Sequence, residues 1–81
     1  MDHTIKTASQ LGQALKSCRK ERGLTQEALG TKVGLLQTDV SSMERDPGRS
    51  SSERLLRLLS ALDMEIVLRD KRQARTLHSE W

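Results

Sequence analysis

The chain has 81 residues and a formal net charge of +3. Its apolar fraction is 35%, or about 41% with the five glycines, below the roughly 45–50% of an average globular domain, so one small domain with a modest core is expected, helped by self-association. A single cysteine excludes an internal disulfide, two distant histidines give no recognisable metal site, and no apolar run approaches the roughly 18 residues of a membrane span. The first residues lack the apolar stretch of a secretory leader, so the expected compartment is the bacterial cytoplasm, without membrane contact. Phe and Tyr are absent, Trp81 is the one aromatic residue, and 13 of the apolar residues are Leu, so the core must be aliphatic. The mildly basic balance suits nucleic acid.

Leu11, Ala14, Leu15 and Cys18 recur at i, i+3, i+4 and i+7, the apolar stripe of a helix. Thr7 followed by Gln10 has the form of a capping box, and Gly23 is placed to stop a helix over 8–22. The basic turn Arg19, Lys20, Arg22 either complements the helix C-terminus or forms a phosphate patch. Cys18 reads as a small core residue, and His3 and His78 as solvated. Thr25 caps a second predicted helix over 26–33, with Leu24 and Leu29 as a hydrophobic staple, Glu27 near the positive end and Gly34 as the stop. A third helical segment, 37–44, carries Val40 and Met43 before Asp46-Pro47-Gly48 breaks the chain. Ser50 is placed to cap a fourth helix over 51–62, with Glu53 completing the box and Leu55, Leu58, Leu59 and Leu62 as its stripe.

Residues 64–69 differ. Met64, Ile66, Val67 and Leu68 include β-branched side chains with partial period-2 alternation, which predicts one short strand. A lone strand leaves its backbone groups unpaired, so the expected partner is the same strand of a second copy. Residues 70–81 show no period and are read as a mobile tail with solvated Lys71, Arg72 and Arg75.

Two short helices joined by a glycine turn, 26–33 and 37–44, have the helix-turn-helix form, in which one helix enters the major groove and the helix before it holds the angle. Gly23-Leu24-Thr25-Gln26-Glu27-Ala28-Leu29, then Val33-Gly34-Leu35, Gln37, Val40-Ser41 and Glu44 resemble the Xre/lambda-repressor-like family over about residues 8–62. The resemblance implies a mainly α fold of four to five helices and a double-stranded operator as ligand. It also implies that Gln26 meets a phosphate and orients Gln37, which bonds an adenine. An amide offers the donor and the acceptor that adenine N7 and N6 require. Arg19 and Glu44 match a family ion pair that ties the first helix to the end of the third. Thr38 and Ser41 are expected to face bases, and Ser42, Arg45 and Lys32 to face phosphates. Leu36 departs from the polar residue usual in the family: it cannot cap, and apolar contact with a thymine methyl is what it offers. Asp39 either accepts from a cytosine N4 or favours the helix N-terminus as its third residue, the second being the commoner use.

The Asp-Met-Glu-Ile-Val-Leu-Arg-Asp segment at 63–70 and the ending Glu80-Trp81 add a closer resemblance to the HipB-like antitoxins, the DNA-binding partners of HipA-type serine/threonine kinase toxins. That resemblance implies an operon-autoregulating homodimer joined through the 64–69 strand. The tail, with Leu77 and Trp81, is then the anchor for a toxin of one chain or two. Read without the resemblance, a terminal Trp is as readily a merely exposed residue. The expected organisation is a DNA-binding domain over 1–69 and a tail over 70–81. A stand-alone repressor and a protein-binding adaptor are the competing functions. No phosphate loop, metal cluster or nucleophile–base pattern suggests an enzyme, and no cofactor is expected.

Overall fold

The computed structural model describes residues 3–72. Its elements are α1 (Ala8–Glu21), α2 (Gln26–Val33), α3 (Gln37–Arg45), a single 3-10 turn (Pro47–Arg49) and α4 (Ser52–Ala61). The molecule is thus mainly α, a four-helix helix-turn-helix fold. Local chemistry sets each start. The Thr7 hydroxyl accepts the Gln10 N–H at 3.1 Å, and the Gln10 side chain accepts the Thr7 N–H at 3.2 Å, which satisfies two otherwise orphaned donors of α1. Thr25 does the same for the Ala28 N–H of α2 at 3.0 Å. The turn between α2 and α3 needs Gly34, which sits at φ 73 and ψ 31, a left-handed conformation that side chains disfavour.

The stripes of all four helices meet in one aliphatic core: Leu15 and Cys18 of α1, Leu29 and Val33 of α2, Val40 and Met43 of α3, and Leu58, Leu59 and Leu62 at the end of α4. Leu11, Leu24, Leu35, Leu55, Ala61 and Met64 pack around it. Leu29, Leu58 and Leu62 are fully buried, each removal from water contributing about 1.5–3 kcal/mol. On the same buried face α1 approaches α3 backbone to backbone: a Cβ at Gly12 would collide with the Glu44 carbonyl oxygen. That contact fixes how α3 lies across α1.

Four expectations change. The cap of α4 is Ser51, whose hydroxyl accepts the Arg54 N–H at 3.2 Å, and not Ser50. Three consecutive serines are chemically equal caps, and burial of Leu58 and Leu59 selects among them. His3 is not solvated: it is half-buried, with Nε2 at 3.7 Å from the Cys18 Sγ. The basic turn divides, because Arg19 and Arg22 bond protein acceptors, Arg22 Nε donating to the Leu62 carbonyl at 3.0 Å, while Lys20 stays exposed. Finally, no strand occurs among the described residues. Residues 64–70 run without regular secondary structure after Asp63, which turns the chain at φ 57. Among the described residues of one copy there is no strand edge for them to pair with.

Candidate nucleic-acid interface

Helix α3 presents two faces. Val40 and Met43 point into the core, while Gln37, Thr38, Ser42 and Arg45 are exposed and Ser41 is half-buried beside them. Positions 38, 42 and 45 form one row and 37 and 41 the next, as i, i+4, i+7 spacing dictates. The outward face is polar, with the short Thr38, Ser41 and Ser42 between the longer Gln37 and Arg45, suited to close approach by a ligand in a groove.

From Gln37 at its N-terminal end to Glu44 in its last turn, α3 is linked by a chain of side-chain hydrogen bonds. Arg19 Nε stands 2.6 Å from Glu44 Oε2, and Arg19 Nη2 donates to Glu44 Oε1 at 3.3 Å. Both side chains are nearly removed from solvent, 9% and 4% exposed. The remaining guanidinium edge donates to the Leu24 carbonyl at 2.8 Å, so the buried charge is matched. Gln26 Nε2 donates to Glu44 Oε1 at 3.1 Å, and Gln37 Nε2 donates to Gln26 Oε1 at 2.6 Å. The two glutamines, eleven residues apart, are thereby joined to each other and to the ion pair that links α1 to α3.

Asp39 is used locally. Its carboxylate accepts the Leu36 N–H at 3.0 Å, so it occupies the third helical position and closes the N-terminal turn that Leu36 cannot cap. Leu36 is 70% exposed at the mouth of α3. Arg45 Nη2 donates to Ser42 Oγ at 3.2 Å. Lys32 is exposed in the last turn of α2, and Thr38 and Ser41 make no side-chain bond within the described residues.

Sequence reasoning missed two cations. Arg49 and Arg54 join Ser42, Arg45 and Ser51 around an open concavity between α3, the 3-10 turn and the start of α4. Only their position on either side of the serine run marked them. Arg49 also pairs with Asp46 at 3.2 Å, in the open. The residues expected to dimerise separate into two groups: Met64 is packed on the core, whereas Ile66, Val67 and Leu68 are 52%, 64% and 95% exposed. Leu77, His78 and Trp81 lie outside the described residues. Among the described residues no group of three His, Cys, Asp or Glu side chains can hold a metal, and no helix is long and apolar enough to cross a membrane.

The helix-turn-helix family pattern matches residues 15–69. Antitoxin HipB of Escherichia coli O6:H1 is 31% identical over 70 residues, spanning 86% of this chain and 74% of the relative. Antitoxin HipB of Escherichia coli strain K12 is 30% identical over 70 residues, 86% of this chain and 80% of the relative. Among solved structures, the HipB chain of a HipB–O4 20mer complex superposes with a TM-score of 0.79 at 28% identity, covering 86% of this chain and 99% of that one. A chain of a HipA–HipB–O2–O3 complex gives the same values. The chain belongs to the helix-turn-helix family and, within it, to the HipB antitoxins.

Proposed function

We propose that the protein is a dimeric operator-binding repressor that also acts as the antitoxin of a HipA-type kinase. The observation that carries the DNA-binding part is the pair Gln26–Gln37, seated on the buried Arg19–Glu44 ion pair at the exposed end of α3. In this reading α3 enters the major groove, Gln37 meets an adenine, and Thr38 and Ser41 reach the neighbouring bases. Gln26, Lys32, Ser42 and Arg45, with Arg49 and Arg54 at the concavity, follow the phosphates on either side. Asp39 belongs to the helix rather than to the DNA in this reading, because its carboxylate accepts the Leu36 N–H and closes the N-terminal turn.

Two copies place their α3 helices about 34 Å apart on a palindromic site, one turn of B-DNA. Residues 64–69 pair across that dimer, which covers Ile66, Val67 and Leu68 and supplies the edge each strand lacks alone. Residues 70–81 form the tail that reaches the kinase, with Leu77 and Trp81 as anchors. The protein works in the cytoplasm, at the nucleoid when bound to its operator. HipB structures with operator segments and with HipA support this reading.

Two assays test it. Fluorescence anisotropy with a promoter fragment should give binding that weakens steeply with salt, and Gln37→Ala should cost about 1–3 kcal/mol and relax one base position. Salt-insensitive binding, or equal affinity for scrambled DNA, overturns the DNA role. In a pull-down, the full chain should retain a kinase that a 1–70 truncation loses. Equal retention of that kinase overturns the tail anchor, and retention of promoter DNA alone by both forms leaves a stand-alone repressor.

A further inference from the structure

We infer that Glu44 sets the hydrogen-bonding polarity of the Gln37 amide, and with it the preference for adenine over guanine. The inference rests on the proposed DNA-reading role of α3 and concerns how that role obtains its selectivity. A primary amide is symmetric in shape but not in chemistry: one end only accepts, the other only donates. Rotating it by half a turn exchanges the two with almost no steric consequence. An exposed glutamine is therefore an ambiguous reader unless something fixes which end faces out.

The side-chain relay removes that ambiguity. Glu44, ion-paired to Arg19, presents acceptors and no donor. Its Oε1 can engage Gln26 only through the Gln26 NH2, which lies at 3.1 Å. The Gln26 carbonyl oxygen is thus turned away from Glu44, toward Gln37. That oxygen, in turn, can engage Gln37 only through the Gln37 NH2, at 2.6 Å. One N–H of Gln37 is thereby used, and what remains for a ligand is Oε1 and the second N–H. Oε1 takes no other bond among the described residues.

Adenine shows the major groove an acceptor, N7, beside a donor, N6, whereas guanine shows two acceptors, N7 and O6. An outward amide with its oxygen fixed matches the first and sets oxygen against oxygen in the second. A reversed amide would offer its NH2 to guanine instead. Solvent does not readily rewire the base of the relay, because the Glu44 side chain is only 4% exposed. Glu44 touches no base in this account and is a positioning residue.

The test compares dissociation constants for the operator and for the same operator with A·T replaced by G·C at the position Gln37 reads. That position is located as the one whose discrimination Gln37→Ala abolishes. Wild type should prefer adenine by about tenfold or more, the range of a good bidentate contact. Glu44→Gln, which gives the base of the relay a donor as well as an acceptor, should reduce the preference to within about threefold. Binding to both sites should stay salt-sensitive. Gln26→Met breaks the middle link while leaving Arg19–Glu44 intact, and should do the same even if loss of the buried ion pair unfolds the first variant. A purely structural role for Glu44 would weaken both sites equally and leave their ratio unchanged. A wild-type ratio in folded Gln26→Met overturns this inference alone. Absence of specific DNA binding by wild type overturns the DNA-reading proposal and this inference with it.

Discussion

The N-terminal end of α3 and the segment after α4 treat their side chains in opposite ways. At the start of α3 the outward amide of Gln37 is already tied to the protein: Gln37 to Gln26, and Gln26 to the buried Glu44–Arg19 pair. After α4 the apolar groups facing outward are tied to nothing, with Val67 64% and Leu68 95% exposed. The first surface is organised before a ligand arrives, so little ordering remains for binding to impose. The second leaves neighbouring apolar side chains in water, the mark of a surface open to association. One small chain thus holds an internally bonded polar surface and an uncovered apolar one, at opposite ends of its last two helices in sequence.

The contrast can be broken most forcefully at the relay. Arg19→Leu leaves Glu44 buried without its counter-charge and should lower stability by about 3–5 kcal/mol, read by urea unfolding. A loss near zero would mean that the carboxylate escapes to solvent and that the surface is not held from beneath. On the other side, Ile66→Lys should leave the helical circular-dichroism signal intact while weakening self-association by about tenfold or more in sedimentation equilibrium, since a charge replaces apolar area at the seam. Unchanged association would move the dimer contact elsewhere. The smallest effect sharpens the comparison: Thr25→Ala removes only the cap of α2 and should cost about 1 kcal/mol in thermal unfolding, without altering the Gln37 contact to Gln26. A much larger loss of DNA selectivity than of stability would show that the entry of α2 also positions the relay.

The helices were legible because each has its own local signature. Leu11, Ala14, Leu15 and Cys18 form a period, Thr7, Thr25 and Gly34 mark ends, and the structure follows them to within a residue or two. The serine run shows where such reading stops: Ser50, Ser51 and Ser52 are equivalent caps in isolation, and only tertiary burial of the leucines behind them decides. His3 was unreadable for a related reason, since its neighbour Cys18 is fifteen residues away and no pattern connects them. At the site, the spacing of Gln26 and Gln37 was visible, and so were the residues of the ion pair. That Glu44 joins the two sets was not, because one carboxylate serving Arg19 and Gln26 together is a fact of three dimensions. The alternation over 64–69 predicts a strand, but the described residues show none there, because period-2 patterning sets a strand only where a paired edge is present.

Gly12 carries a consequence for how such a chain can change over generations. Its missing side chain lets α1 meet the α3 backbone directly, at the Glu44 carbonyl. No rotamer intervenes there, so at this point the distance between the two helices is set by backbone and not by a side chain that could repack. Any larger residue at position 12 would push α3 away from α1, so the pitch at which α3 is offered outward depends on a single hydrogen atom.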